Sequence, residues 1–435
     1  MSNFRITTNG LYRNYRTNLN KNNKMLKDAM TGVETERKFN TYAEDPAAAS
    51  KAWRLRRSYW RAGDQIDNNN YIISKYESAY SAMGAIIDGD VGNSEYGLGL
   101  NSILSAVEGA TGSAGSSRTA LGKELLQEAD NIVSVMNTKY GDEFIFAGAD
   151  GANIPFRWSS DGSKLLYRGI DVSTPETTYK TSDFAVTPDT LKMEQPLSNE
   201  EYVTAHTDSE IADMPYDVYK ESYLTRNKGY KTFEDAQKAY AEAERYRTAK
   251  AAYEEEHPEY AFEDAMKLND MAEESTYVDI GIGLQENGLG ELIAGSAFNS
   301  AISGLNFLGY GEDKNLVMVI RELGAIFSNS DPDTGEYAGG AEDAARVGEL
   351  LNRLHETVRS SQDQHTQLSA DAKYLHTNLQ QLQTVKAELD NQIVDTEDLD
   401  MAEAITSMTW AQYCYNAALR IGTNILSQSL LDYMS

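Results

Sequence analysis

The sequence predicts a mainly α-helical fold, in which nested N- and C-terminal helices form a coiled-coil rod and a mixed β-rich and α-helical insertion domain occupies the centre. Three observations predict this fold. All eight prolines lie between Pro46 and Pro332, so both ends lack the residue that breaks helix interiors. Apolar residues recur at helical spacing towards both ends. The centre is instead rich in turn residues.

The N-terminal segment, residues 1–42, carries a narrow apolar stripe among Asn, Lys and Arg side chains. Its members are Leu11, Tyr15, Leu19, Met25, Leu26 and Met30. A stripe this narrow makes a weak isolated helix, because helices without packing are marginal in water. We therefore predict an assembly helix that is disordered in the monomer.

Residues 43–143 are predicted to supply the N-terminal part of a helical rod domain. Asp45 followed by Pro46 is typical of a helix start, since proline fits the first helical position. Downstream, residues 118–136 repeat apolar side chains in helical register.

Residues 144–285 are predicted to form a variable outer domain that is β-rich. Asp-Gly pairs at 150–151 and 161–162, together with several prolines, separate short runs such as 164–167 and 177–179. Short runs bounded by turn signals are typical of strands and hairpins.

One charged helix is expected inside this outer domain, near 232–256. Thr232 is a suitable cap, and an Ala-, Glu-, Lys- and Tyr-rich stretch follows it. From Glu201 to Glu286 the chain holds 21 acidic and 9 basic residues, a net charge of −12. A repeated outer domain of this kind would form an anionic, mutually repelling surface.

Residues 286–396 are predicted to complete the rod domain. Apolar side chains alternate with polar ones over residues 341–393, and neither Gly nor Pro occurs there after Gly348. A helical pattern of about fifty residues far exceeds an average helix of about 11 and indicates a coiled coil.

The final segment, residues 397–435, is predicted to be a C-terminal assembly helix. The acidic cluster at 397–400 suits the positive end of a helix dipole. The apolar residues that follow recur at three-, four- and seven-residue steps: Met401, Ile405, Met408, Tyr415, Leu419, Leu426, Leu430 and Tyr433. We expect a partner to cover this stripe.

Composition narrows the function classes. The 435 residues carry 39 basic and 67 acidic side chains, and the net charge of −28 disfavours a nucleic-acid surface. Cys414 is the single cysteine, so no internal disulfide is expected. We find neither a signal peptide nor a run of about 18 apolar residues that would insert into a membrane. These signals alone indicate a cytosolic protein.

Motifs for catalysis, cofactors and metals are not recognisable, so we predict a protein that is not an enzyme. The histidines form no H-E-x-x-H motif, because Arg359 stands where His355 would need a second ligand. No phosphate-binding glycine motif is present. The DPDTGE segment from Asp331 resembles part of a calcium loop but lacks its closing glutamate.

Several motifs resemble the bacterial flagellin superfamily. Residues 40–49 (NTYAEDPAAA) resemble the flagellin stretch in which a helix starts at Asp-Asp-Pro, with Glu44 in place of the first Asp. Residues 141–148 (GDEFIFAG), followed by Pro155-Phe156, are similar to elements of the hook-associated protein 3 family of hook–filament junction proteins.

The C-terminal motifs resemble the same junction family. Residues 398–404 (DLDMAEA), 415–419 (YNAAL) and 429–434 (SLLDYM) are similar to its D-x-D-M-A-E, Y-Q-A-A-L and S-L-L-D-Y-L elements. After Leu121 the sequence departs from the pattern typical of flagellins.

The resemblance implies a secreted structural protein of the bacterial flagellum, exported by the flagellar type III apparatus and located at the hook–filament junction. We therefore replace the cytosolic prediction from composition with the secreted location that the resemblance implies. The implied partners are hook-associated protein 1, flagellin, other copies of the chain and a flagellar export chaperone. The implied role is an adaptor on which flagellin assembles, needed for motility.

We expect the terminal stripes to make the assembly contacts. The expected interface residues are Leu11, Tyr15, Leu19, Met408, Tyr415, Leu419, Leu426 and Leu430. The alternative is that each merely fills an internal core.

Other functions remain open from sequence. The chain would also suit a flagellin or minor flagellin of the filament body, or a secreted coiled-coil adhesin or effector whose acidic centre binds a ligand. A glycan-processing enzyme in the insertion has no motif to support it.

Overall fold

The computed structural model describes residues 8–89, 99–112, 116–205, 215–227, 229–288, 292–293 and 295–434. At positions 8, 9, 11, 116 and 424–434 the description covers the backbone alone.

Within this part of the chain the protein is mainly α-helical, which confirms the predicted fold class. The helices are α1 (Thr8–Thr35), α2 (Pro46–Asp88), α3 (Leu100–Gly112), α4 (Ser116–Met136), α5 (Asn199–Ala205), α6 (Tyr216–Arg226), α7 (Phe233–Glu256), α8 (Phe262–Ala272), α9 (Gly304–Leu308), α10 (Leu316–Ser328), α11 (Ala341–Glu397) and α12 (Met401–Met434).

The described strands are short and pair only in antiparallel fashion. They are β1 (Lys139–Tyr140), β2 (Glu143–Phe144), β3 (Ala147–Gly148), β4 (Phe156–Trp158), β5 (Leu165–Tyr167), β6 (Ile170–Asp171), β7 (Tyr277–Val278), β8 (Phe298–Asn299) and β9 (Ile302–Ser303). The pairs are β1–β2, β3–β9 and β7–β8, and β4, β5 and β6 form a three-stranded sheet in that order.

The chain divides into two compact units. The first comprises Met1–Asn70, Ile280–Gly283 and His376–Ser435, and the second comprises Tyr71–Asp279 and Leu284–Leu375. The division therefore falls inside α2 and inside α11.

Helix starts follow the capping chemistry expected from the sequence. The Asp45 carboxylate accepts hydrogen bonds from the N–H groups of Ala47 and Ala48 at the start of α2. The Thr232 hydroxyl accepts one from the N–H of Asp235 at the start of α7. A side-chain acceptor at this position satisfies N–H groups that have no partner within the helix.

In the second unit, α4 and α10 pack closely because glycines face each other at their crossing. A Cβ added to Gly122 would meet the backbone of Ser328 and the Gly324 carbonyl, and a Cβ on Gly324 would meet the Gly122 carbonyl. Gly122 lies within the predicted helix at 118–136, and its lack of a side chain allows this helix to pack close to α10.

The FIFAG motif fills the core of the same unit. Ile145, Phe146 and Ala147 are fully buried. The Phe146 carbonyl accepts hydrogen bonds from the Tyr167 hydroxyl at 3.0 Å and from the Gly304 N–H at 2.9 Å. This motif therefore joins the β4–β6 sheet to the chain that enters α9.

The insertion is mixed, as predicted, but its helices contain more residues than its strands. Strand content predicted near 164–167 is present as β5, whereas 177–179 forms no strand. Tyr179 instead packs into an aromatic cluster with Phe184 and Phe262. Four prolines lie in the first part of the insertion, before α5, whereas Pro215 precedes α6 and Pro258 lies in the turn between α7 and α8.

Candidate assembly interface

Helices α1 and α12 of the first unit pack against each other along a seam with coiled-coil spacing. On both helices the half-buried and buried positions recur at alternating three- and four-residue steps, the spacing of a heptad repeat. The positions with this spacing are Tyr15, Leu19, Asn22, Leu26 and Ala29 on α1, and Ala404, Met408, Ala411, Tyr415, Ala418 and Gly422 on α12, where Cys414 and Ala417 beside them are also half-buried.

Small residues let the two helices approach each other. Ala404, Ala411 and Ala418 follow at seven-residue steps on α12. Near the open end of the pair, the Tyr15 ring lies directly over Gly422, where any Cβ would collide with it. Between these points the Asn22 side chain donates to the Cys414 carbonyl at 3.5 Å.

The other end of the pair is closed by backbone hydrogen bonds between the α1–α2 and α11–α12 connections. The Lys38 N–H donates to the Glu397 carbonyl at 2.7 Å, and the Leu399 N–H donates to the Glu36 carbonyl at 2.9 Å. Glu36 has a φ of 57°, a left-handed conformation that turns the chain out of α1. These hydrogen bonds therefore hold the end of α1 next to the start of α12.

Two acidic residues of the family-like motifs stabilise this junction. The Asp400 carboxylate caps α12 by accepting from the N–H groups of Ala402 and Glu403. The Glu44 carboxylate accepts from the Asn40 N–H at 2.7 Å, and this hydrogen bond holds the pKa of Glu44 below its ordinary value. Glu44 thus acts as a local acceptor although it replaces an Asp of the flagellin pattern.

An ion pair between a half-buried arginine and a buried glutamate adds a further constraint beside the junction. Arg56 of α2 pairs with Glu397, whose side chain is only 8% exposed. A buried carboxylate needs such a partner, because an unpaired charge away from water is costly.

The face of α12 that points away from α1 is also apolar. Ile405, Trp410 and Tyr413, with Thr406 and Thr409 between them, line a shallow groove on this face. Trp410 is 63% exposed and Tyr413 is 68% exposed, and their rings stack with centroids 6.1 Å apart. Exposed apolar patches of this kind mark protein-binding surfaces in soluble proteins.

Exposed large apolar side chains concentrate in the first unit. Of 23 such side chains in the described part of the protein, 14 belong to this unit although it is the smaller of the two. Trp53 and Trp60 on α2 are among them, at 64% and 66% exposed. The second unit, by contrast, buries most of its large apolar side chains.

Five of the eight expected interface residues have side chains within the described part of the structure. Tyr15, Leu19, Met408 and Tyr415 are half-buried on the α1–α12 seam, whereas Leu419 lies beside the seam and is 41% exposed. The remaining three, which are Leu11 in α1 and Leu426 and Leu430 in α12, have side chains that lie outside the described part of the structure.

Sequence reasoning missed the outward face of α12. The single apolar stripe predicted from periodicity combined residues of both faces, since Met408 and Tyr415 pack on α1 whereas Ile405 lies in the outward groove. The signal for a second face was the presence of Trp410 and Tyr413, three residues apart and on the side opposite Ala404 and Ala411.

The described residues offer no arrangement for metal chemistry, since no group of three or more His, Cys, Asp or Glu side chains among them could hold an ion. The DPDTGE segment forms a turn, in which the Asp331 carboxylate accepts from the N–H groups of Asp333 and Thr334. Within the described chain no helix is long and apolar enough to cross a bilayer.

Comparison with known families bears on the helices that build this interface. Residues 6–150 match the family model described as the bacterial flagellin N-terminal helical region. The N-terminal third of the chain is flagellin-like. This segment contains α1, α2 and their junction.

Comparisons over the whole chain are less specific. The search of curated proteins returned no match. Among solved structures, the chain is similar to one from Vibrio parahaemolyticus described as a flagellar hook-associated protein, with 13% identity, a TM-score of 0.45, and coverage of 82% of this chain and 100% of that chain. Similarity at that level is too low to carry a functional argument.

Proposed function

We propose that this protein is a structural, non-enzymatic subunit of the bacterial flagellum that assembles through its α1–α12 pair. The observation that carries the proposal is the outward face of α12, where Trp410 and Tyr413 stay exposed on a helix already packed on the other side. The flagellin-like segment supports the same assignment, because it supplies the helix that pairs with α12.

A helix with apolar side chains on two opposite faces needs two neighbours. Helix α1 covers one face, and a neighbouring subunit would cover the other. A contact between two different faces is heterologous, and heterologous contacts that do not close generate helical arrays. This is the geometry that a tubular layer requires.

Within the flagellum, we assign the protein to the hook–filament junction, as an adaptor of the hook-associated protein 3 type on which flagellin assembles. The motifs at 398–404 and 429–434 support this position. Hook-associated protein 1 and flagellin would be its neighbours, a flagellar chaperone would accompany its export, and its final location would be extracellular.

This assignment gives each part of the chain a role. Residues 1–42 and 397–435 would be the assembly segments, 43–143 and 286–396 the rod domain, and 144–285 the variable outer domain. The structure pairs α1 with α12, whereas the sequence led us to expect disorder before assembly. Since the seam leaves most of its side chains only half-buried, we propose that the pair is marginal in the free chain and becomes stable when neighbours cover it.

The test is electron microscopy of a strain that lacks the gene, together with analysis of its culture supernatant. A junction protein predicts hooks without filaments and unpolymerised flagellin in the supernatant. Wild-type filaments in this strain would contradict the proposal.

A second candidate is a flagellin or minor flagellin of the filament body, which the flagellin-like segment favours. The same strain distinguishes it. Loss of the main filament subunit gives bare hooks without shed flagellin, because the subunit itself is missing.

A further inference from the structure

The first unit is divided in charge between its two halves. The first 70 residues carry 13 basic and 7 acidic side chains, whereas the last 60 carry 2 basic and 8 acidic. The charges therefore cancel within the unit, although the whole chain has a net charge of −28. The basic excess therefore lies on α1 and α2, and the acidic excess lies on the last turns of α11 and the connection to α12.

The positive surface on α2 is also aromatic. Trp53, Arg57 and Trp60 lie on one exposed face at four- and three-residue steps, with exposed Arg54 and Arg61 beside them. The Arg57 guanidinium lies 5.8 Å from the centre of the Trp53 ring. Trp and Arg are the side chains most enriched at protein interfaces. We call this surface the Trp/Arg face.

The negative surface lies on the last turns of α11. Glu388, Asn391 and Asp395 follow at three- and four-residue steps on one exposed face, and exposed Asp398 continues it just beyond the helix. The Lys38 ammonium of the same chain donates to the backbone carbonyl of Asp395 at 2.5 Å, whereas the Lys386 ammonium lies 5.0 Å from the centre of the Tyr59 ring on α2. Exposed Val394 adds apolar area. We call this surface the acidic face.

The two faces cannot neutralise each other within one chain. Helices α2 and α11 already pack together through Arg56 with Glu397 and through Tyr59 with Lys386, so their exposed faces turn away from this contact.

We propose that the Trp/Arg face of one subunit binds the acidic face of a second copy of this chain. This inference rests on the proposed assembly function and names the surfaces that make its lateral contact. The pairing joins two different faces, so it continues from copy to copy in the same way as a helical array. Charge complementarity fixes the register and the partner, and the two Trp side chains supply apolar burial.

The acidic insertion fits the Trp/Arg face less well. Several of its carboxylates already have basic partners, such as Glu234 with Lys238, Glu244 with Arg247 and Glu263 with Lys250. A carboxylate that already forms an ion pair gains less binding energy from a second basic partner, because the two basic groups share the same carboxylate.

The test uses charge reversal on purified full-length protein, with self-association measured by analytical ultracentrifugation. One variant carries Arg54→Glu and Arg57→Glu, and the other carries Glu388→Lys and Asp395→Lys. Each alone should weaken self-association at least about tenfold, because like charges then face each other. A mixture of the two should associate again, since every contact in an alternating array is once more complementary.

The control variant carries Lys231→Glu and Lys238→Glu, which makes the same change in net charge as the Arg variant but at exposed positions of the insertion. It should associate like the wild type. Wild-type association should also weaken as salt rises from about 0.01 M to about 1 M, because the screening length falls from about 30 Å to about 3 Å.

The pairing is overturned if either reversed variant associates like the wild type, if the mixture fails to recover, or if the wild type shows no association at low salt. Loss of association in the control as strong as in the Arg variant would show that association follows the net charge of the chain and not the pairing of these two faces, and would also overturn it. None of these outcomes depends on the filaments of the deletion strain. The proposed flagellar role would therefore remain if the contact between these two faces were disproved.

Discussion

The Tyr15 ring packs on the backbone of Gly422, and no side chain fits between them. This contact joins the two ends of a 435-residue chain in one helix pair. The pair is narrow, with alanines at seven-residue steps on α12 and half-buried side chains on α1. We expect such a helix pair to become more stable when neighbouring subunits bury more of its outer surface.

The substitution Gly422→Leu should weaken the α1–α12 pair, because the new side chain displaces the Tyr15 ring from the seam. Overpacking of this kind costs about 1–3 kcal/mol. Hydrogen exchange should therefore quicken across α1. Gly348→Leu is the matched control, since Gly348 is exposed on α11 with no atom near its missing Cβ. Equal exchange in the two variants would contradict the close contact.

The glycine crossing of α4 and α10 predicts a second effect. Gly122→Ala should lower the free energy of unfolding by about 1–3 kcal/mol, because the added methyl group meets backbone atoms of Ser328 and Gly324 that cannot move aside. Gly109→Ala, in an open position of α3, should instead raise stability by about 0.5–1 kcal/mol. Urea unfolding measures both. A neutral Gly122→Ala would mean that the helices lie further apart.

The ion pair between Arg56 and Glu397 predicts coupling. Arg56→Met should cost about 1–3 kcal/mol, since it leaves a buried carboxylate without its charged partner. Adding Glu397→Gln to that variant should recover part of the loss, because a neutral amide is cheaper to bury. Thermal unfolding of the wild type, the two single variants and the double variant completes a double-mutant cycle and gives the coupling energy. Additive effects of the two substitutions would show that the residues act separately.

Sequence reasoning predicted local features of the fold well. Asp45, Thr232 and the acidic cluster at 397–400 mark helix starts because capping depends on residues close in sequence. The long helix from Ala341 was predicted because its apolar side chains repeat over many turns without Gly or Pro after Gly348.

Features that depend on distant residues were not predicted. The crossing of Gly122 with Gly324 needs two helices that are far apart in sequence, and one glycine in a helical pattern does not reveal its partner. The outward face of Trp410 and Tyr413 was missed because a single helical period assigns one buried side to each helix. The helices α6 and α8 were missed because the turn signals around them dominated the interpretation of the insertion.

The tyrosines of the insertion predict alkaline unfolding. Burial raises the pKa of Tyr223 and of Tyr253 to about 12, and their hydroxyls donate to the carbonyls of Glu194 and Pro175. The unfolded pKa is about 10. The neutral form is therefore favoured in the fold, so this stability is complete below pH about 10 and is lost as the pH rises through about 12.

Tyrosinate absorbance and circular dichroism, followed together during an alkaline titration, measure this effect. We expect these hydroxyls to ionise with the loss of insertion helix above pH about 10, the unfolded pKa. Complete ionisation of all tyrosines at that pH, with full helix content retained, would contradict the burial of Tyr223 and Tyr253.

The central claim is that the outward face of α12 joins neighbouring subunits in the flagellum. Its most direct test is filament length by electron microscopy in the deletion strain that expresses a variant with Ile405→Ser, Trp410→Ser and Tyr413→Ser. The control carries Ile154→Ser, Val203→Ser and Val218→Ser, at exposed apolar positions of the second unit. We predict bare hooks with shed flagellin for the first variant and normal filaments for the control. Normal filaments with both variants would contradict the claim.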